Sequence, residues 1–353
     1  MTTGPLEDHG DEGPFPTAPG RRGRKRTADD RFPDPSAGMV LHRVLALSAR
    51  TFLLNDLDVE SDDGEGRSHP VDALALALGP RPMWAQSTAA SLRGTERRDD
   101  PTERIHQSRV AMRRIRSNLR TFRLLLDPGR GTALRSELAW YGNELGRSRD
   151  LDLLAGVVAV RGPEVLEPDE VVRLLSVLNW RREEVDSEIA LERSGPRRLQ
   201  LTGRIMELWE GPEFKAKAAR PATEVLPPML HRSWHDVRGA ARKARKDPSA
   251  VHLHRLRIRL KDLRYGSETL ALVEGGPARK TARATERLQS RLGDLHDTVF
   301  AIGWLESLAA EQADLADAAG RMVALQREVA AETRRGWKRD LKEVERRWRR
   351  WQG

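Results

Sequence analysis

The chain has 353 residues, of which 38% are hydrophobic and 33% charged, enough apolar material for one large domain or two modest ones under a heavily charged surface. Its 62 basic side chains exceed the 53 acidic ones, for a formal charge of +9 and a pI near 10.3, an excess that points to an acidic partner. There is no cysteine, which excludes disulfides, thiolate metal sites and cysteine nucleophiles. No run approaches 18 consecutive apolar residues, so no membrane partner or span is expected. Residues 1–20 carry no apolar stretch of signal-peptide type, and the expected location is cytoplasmic.

Residues 1–38 combine Gly and Pro with the basic cluster RRGRKR at 21–26. They have too little apolar content to fold and read as a disordered tail. From Met39 the apolar spacing is helical. Helices are predicted over 39–57, 102–126, 130–158, 168–193 and 197–210. A second series is predicted over 222–246, 249–273, 277–295, 298–312 and 317–349. Pro128–Gly129, Gly195–Pro196 and Gly275–Gly276–Pro277 punctuate them. Segment 58–101, with its acidic ESDDGEG stretch and several prolines, reads as a partly ordered insertion that includes a short helix near 71–78. No alternation of period two occurs, so the fold class is all-α.

Self-similarity organises the rest. Ile105–His106–Gln107–Ser108–Arg109–Val110 is echoed by Leu253–His254–Arg255–Leu256–Arg257–Ile258 at an offset of 148 residues. The echo continues with Arg113/Lys261, Ile115/Leu263 and Arg116/Arg264. Leu145–Gly146 with Asp150 matches Leu292–Gly293 with Asp297, and Leu41–His42–Arg43 matches Leu230–His231–Arg232. His42 and His106 are 64 positions apart, whereas His231 and His254 are 23 apart. The first copy therefore carries 41 extra residues, coinciding with the irregular segment. The simplest architecture is two copies of a four-helix unit related by a pseudo-twofold. The copies would span 39–220, with the 58–101 insertion, and 221–353.

On a helix starting near Ile105, the residues His106, Arg109, Arg113, Arg116 and Arg120 fall within an arc of roughly 80°. Ile105, Met112, Ile115, Leu119, Phe122 and Leu126 form a separate apolar arc. In the second copy, His254, Arg257, Lys261 and Arg264 form the stripe, and Leu253, Leu256, Leu260, Leu263 and Leu270 form the apolar face. From Arg104 to Leu126 there are seven Arg and no Asp or Glu, so the stripe cannot neutralise itself through i+4 pairs. Either acids from neighbouring helices meet it, or it faces solvent, or an anion lies across it. Arginine forks match phosphate oxygens bidentately, lysine adds a point charge, and a histidine can donate a ring N–H.

These residues resemble the CHAD domain (conserved histidine α-helical domain). IHQSRVAMRRIRSNLRTFRLLL and VHLHRLRIRLKDLRY are similar to its two signature helices. ELGRSRDLDLL and RLGDLHDTVFA are similar to the segments that follow them. The resemblance runs from Met39 through both halves. It implies two four-helix bundles with a basic cavity or surface between them that binds inorganic polyphosphate. By motif position it assigns that ligand to His106, Arg109, Arg113, Arg116, His254, Arg257, Lys261 and Arg264. Arg114 matches the family's doubled Arg but lies off the stripe, and its counterpart is Asp262. Residues 1–38 are too short for the triphosphate-tunnel catalytic domain that precedes the module in some members.

Binding without catalysis, with no cofactor and no metal, is the expectation, and association with polyphosphate granules would follow from it. A nucleic-acid binder is the alternative, disfavoured because the stripes lack interleaved aromatics and no helix-turn-helix or zinc signature occurs. A phosphate-transfer or metal-dependent enzyme using histidine is a further alternative. It is weakened by the absence of Walker, Gly-x-Ser-x-Gly and HExxH motifs. Only His231 and His235, at i and i+4, are spaced to share one ion. Arg238, Arg242, Arg245 and Lys246 either extend the anion track or form a wet helix face.

Overall fold

The computed structural model describes residues 35–56 and 101–352, with side chains from 103 onward in the second span. The tail with its basic cluster, the acidic stretch and the short helix expected near 71–78 lie outside the described residues. The helices are α1 (Ala37–Asp56), α2 (Pro101–Thr121), α3 (Pro128–Arg161), α4 (Pro168–Ser194) and α5 (Pro196–Glu210). They continue as α6 (Ala222–Lys246), α7 (Ala250–Glu274), α8 (Gly276–Glu311), α9 (Ala316–Thr333) and α10 (Trp337–Gln352). Short 3₁₀ turns fill several junctions, and the described residues contain no strand, only two isolated bridges. The chain is all-α, as its periodicity requires.

Local chemistry sets the helix starts. The Asp127 carboxylate accepts from Arg130 N at 2.9 Å and Pro128 follows at the first helical position of α3, where its missing N–H costs nothing. At α4, Pro168 follows Glu167, whose N–H is taken by the Glu170 carboxylate at 2.9 Å. Gly275, at φ +69°, turns the chain between α7 and α8.

Three expected boundaries shift. The chain joins the fold at Pro35 rather than after residue 38: Ala222 N donates to Pro35 O and Ala37 N to Arg220 O, each at 2.9 Å. The helices expected over 277–295 and 298–312 are one continuous helix, α8, because no proline or glycine interrupts Leu295–Thr298. Conversely, the expected 317–349 helix breaks between Thr333 and Trp337. There Gly336 lies against the Arg291 guanidinium so closely that an added Cβ would sit 2.7 Å from its Cζ.

The two apolar arcs read from the stripe helices are the faces that enter the core. Met112, Ile115 and Leu119 of α2 and Phe122 just after it are buried, and so are Leu253, Leu256, Leu260, Leu263 and Leu270 of α7. One apolar cluster joins these faces to α1, α3, α5, α6 and α8. A second joins Leu154, Val158 and Leu174 to Leu305, Leu308 and Met322, on α3, α4, α8 and α9. Helix α1 has the length and apolarity of a membrane-crossing helix, and 78% of that window is buried inside the bundle. Its last residue, Asp56, is a buried anchor. The carboxylate is ion-paired with buried Arg198 and accepts from Tyr141 Oη at 2.8 Å.

Helices α2 and α7 pack directly on each other. Arg114 pairs with Glu268 at 2.9 Å, Arg120 pairs with Asp262 at 2.9 Å, and Thr269 Oγ1 donates to Asn118 Oδ1 at 2.8 Å. The offset of 148 relates 114 to 262 and 120 to 268. The two ion pairs thus use offset-related positions, with the cations on α2 and the anions on α7. Asp262, the departure from the doubled Arg, is here one half of a cross-helix pair.

Candidate functional site

The α2–α7 contact brings the two stripes to one place. Lys261 lies in the combined field of Arg257 on its own helix and of Arg113, Arg116 and Arg109 on α2. Arg257 also feels Arg113. None of Arg109, Arg113, Arg116, Arg257 and Lys261 forms an ion pair among the described residues, all of them are partly buried, and like charges held this way destabilise one another. Burial, followed by the neighbouring guanidinium groups, pushes the Lys261 ammonium down to about 7. Burial and then Arg113 bring Arg109 down to about 10. Burial and Arg120 lower Arg116, and burial lowers Arg257.

The repeated Leu-Gly pairs explain how two of these arginines are held. Arg109 Nη1 donates to Leu145 O at 2.7 Å, and its guanidinium lies on Gly146, where an added Cβ would sit 3.1 Å from Nη1. Arg257 lies over Gly293 in the same way, with Nε 3.4 Å from the position of an added Cβ. Each glycine clears room for a guanidinium against the helix backbone. Asp150 and Asp297 follow one turn later. Burial raises both carboxyl groups, opposed by Arg109 at Asp150 and by Arg257 at Asp297, and each Asp–Arg couple falls outside ion-pair distance.

The histidines take different surroundings. His254 packs on His296 of α8, ring centroids 4.3 Å apart. Burial, His296 and the nearby cations bring His254 down to about 4, so it is a neutral imidazole at neutral pH, and its Nδ1 is buried with no hydrogen-bond partner. His106 is exposed at the edge, and partial burial of its ring with the Arg113 charge lowers it too.

Arg264 departs from the stripe. It pairs with Glu268 (2.9 Å) and Glu286 and stands beside the Tyr265 ring. Burial alone would lower its pKa, but the Glu268 and Glu286 carboxylates hold it above the ordinary arginine value. Arg120, also in the sequence-derived arc, is paired with Asp262. Neighbouring acids therefore neutralise one end of the stripe and leave the other end cationic.

His296, which sequence did not single out, also belongs to this place, as does exposed Arg149, a weaker basic candidate of the sequence, which is felt by His106, Arg109, Asp150 and Asp297. Both fall inside the repeated Leu-Gly-x-x-x-Asp segments, which carried the signal. Elsewhere, Arg245 pairs with Glu345 at 2.7 Å, while Arg238 and Arg242 are exposed on α6. His231 is hydrogen-bonded to Gln352, and no group of three or more metal-ligating side chains converges among the described residues. A concavity of about 650 Å³ between α2, α3 and α5 is lined by Leu119, Leu134, Leu208, Arg130 and Glu210 among others, and none of the eight stripe positions reaches it.

The family model of the CHAD domain matches residues 85–306. The chain belongs to the CHAD-domain family. The match takes in α2 through most of α8 and leaves α1, α9 and α10 outside. Among solved structures, the CHAD chain is similar to PptA from Streptomyces chartreusis, with 18% identity and a TM-score of 0.60 over 87% of this chain and 100% of that one. It is similar also to the CHAD domain from the plant Ricinus communis, with 20% identity and a TM-score of 0.61 over 88% of this chain and 92% of that one. At these identities the likeness is one of fold. No curated protein matches the sequence.

Proposed function

We propose that this CHAD protein captures inorganic polyphosphate on the cationic end of the joined stripes and holds it without chemical change. The observation that carries the reading is the concentration of Arg109, Arg113, Arg116, Arg257 and Lys261 at one helix contact, with no ion-paired carboxylate among the described residues. Such a group destabilises the fold unless a polyanion spans it, and a chain of phosphates supplies several charges at once. His106 and Arg149 would extend the track at its edge, and the His254–His296 pair would offer a ring N–H to a phosphate oxygen. Arg264 would act indirectly, by fixing α7 through Glu268 and Glu286. A cytoplasmic location at polyphosphate granules follows from the same reading.

Competition at matched salt tests it, since both ligand classes bind through phosphates and weaken with salt. Long-chain polyphosphate is expected to displace single-stranded RNA and duplex DNA, and preference for nucleic acid would overturn the assignment. Charge reversal at Arg109 and Arg257 is expected to abolish polyphosphate binding with helicity retained. Release of orthophosphate from polyphosphate by the pure protein would replace the holding role with a catalytic one.

A further inference from the structure

We infer that one end of the cationic site opens into an aromatic groove that seats the base of a nucleoside oligophosphate, its phosphates lying on Arg109 and Arg257. The inference rests on the phosphate-binding reading above and names a second ligand class for the same site.

Helix geometry carries the site into the groove. On α8, Gly293, Asp297, Phe300 and Trp304 are spaced at i, i+4, i+7 and i+11, which is one helix face. The face that lies under the Arg257 guanidinium at Gly293 therefore reaches Phe300 after about 10 Å of helix. Helix α3 repeats the arrangement. Arg109 is held there to Leu145 O at 2.7 Å and lies on Gly146, and the next turns bring Asp150, Leu151 and Leu154. Between α3, α4 and α8 lies a concavity of about 530 Å³, lined by those three residues, by Phe300 and Trp304, and by Trp180 of α4. Trp180 is 62% exposed and Phe300 36%. The Arg181 guanidinium stands over the Trp304 ring at 5.6 Å, so Trp180 and Phe300 are the rings left for a ligand.

Charge selects the ligand. The cations of the groove are engaged, Arg147 with Glu144 and Glu188 and Arg181 with Glu311. Its acids Asp150 and Glu184 form no ion pair among the described residues. At the stripe the balance is reversed, because Arg109 and Arg257 are the unpaired groups. The complement is a molecule with an anionic end, hydroxyl or amino donors and a flat ring. Phosphates meet the guanidinium groups, ribose hydroxyls or a base amino group donate to the carboxylates, and the base stacks on the exposed rings. The same carboxylates repel phosphate from the aromatic end and so fix the direction of the ligand. One groove at one end seats one base, whereas a nucleic-acid strand needs platforms for successive bases.

The test titrates the full chain with ATP and with inorganic tripolyphosphate at matched ionic strength, without divalent cations. Tripolyphosphate is the more highly charged, so charge alone favours it. ATP is nevertheless expected to bind at least about fivefold more tightly, the lower end of what base–aromatic stacking supplies. Trp180→Ala, a change at an exposed side chain, is expected to remove that lead and to leave tripolyphosphate affinity as it was. Equal or weaker binding of ATP would overturn the inference, as would a lead that survives both Trp180→Ala and Phe300→Ala. Self-association in sedimentation that Trp180→Ala abolishes, with no ATP lead, would reassign the groove to a second copy of the chain. Titration with long-chain polyphosphate separates the two readings. Polyphosphate binding without an ATP lead removes this inference alone, and an ATP lead in a chain that does not bind polyphosphate removes the polyphosphate assignment alone.

Discussion

Lys261 of α7 lies in the field of Arg113 of α2, and neither forms an ion pair among the described residues. That relationship costs stability in the unliganded protein and is the place where a polyanion gains most. Lys261→Met keeps an unbranched apolar stem and removes the charge. The variant is expected to gain on the order of 1 kcal/mol in stability while its affinity for polyphosphate falls several-fold. Denaturant unfolding and a polyphosphate titration together check this. A variant that loses stability, or binds as before, would remove Lys261 from the repulsive centre.

The pH dependence of binding follows from the same group. Burial and the neighbouring guanidinium groups place the unliganded Lys261 at about 7, and a polyanion would raise it. Below pH 7 the lysine is protonated in both states, so it leaves the affinity unchanged as pH falls further. Above pH 7 binding must take up a proton, and affinity falls by up to about tenfold per unit until the bound-state pKa is reached. Lys261→Arg is expected to flatten the profile at constant ionic strength, and a wild-type profile flat through mildly alkaline pH would contradict the argument. The sign for stability is opposite. The folded pKa lies below the unfolded value near 10.5, so the unliganded fold becomes more stable as pH rises from about 7 toward that value.

Sequence periodicity was enough to place His106, Arg109, Arg113, Arg116, His254, Arg257 and Lys261 on two stripes and their apolar partners in the core. It was also enough for the all-α fold, because the apolar spacing of α2 and α7 has no other periodic solution. It could not decide which cations are neutralised. The Arg264–Glu268 pair at i and i+4 is visible in one dimension, but Arg114–Glu268, Arg120–Asp262 and Arg264–Glu286 exist only once the helices have packed. His296 escaped notice because it stands where a helix boundary was expected and α8 instead runs through. Gly146 and Gly293 were visible as repeated residues, and their purpose appears only with Arg109 and Arg257 lying on them.

Glu268 is the acid on which one end of the stripe depends. It is buried and pairs with Arg114 and Arg264, each at 2.9 Å. Glu268→Gln would leave Arg114 without a carboxylate and Arg264 with Glu286 alone. The expected cost is about 3 kcal/mol, the scale of breaking a buried pair from one side. Polyphosphate affinity well below the melting temperature is expected to be maintained, because the lost charge is an anion outside the cationic end. A loss of binding comparable with that of the Arg109 and Arg257 reversals would place Glu268 in the binding machinery itself.

Gly146 and Gly293 separate stability from binding most cleanly. Alanine is the better helix former by up to about 1 kcal/mol, so either substitution to Ala should leave overall stability within about that margin. The new methyl group at 146 would sit 3.1 Å from Arg109 Nη1 and displace a guanidinium held to Leu145 O at 2.7 Å. At 293 the corresponding approach is 3.4 Å, to Arg257 Nε, an atom that makes no hydrogen bond. Gly146→Ala is therefore expected to weaken polyphosphate binding several-fold, and Gly293→Ala to weaken it less. Titrations of both variants beside their thermal melts check the ordering. A larger loss at 293, or losses that track melting temperature, would mean that the glycines serve helix packing rather than the seating of the arginines.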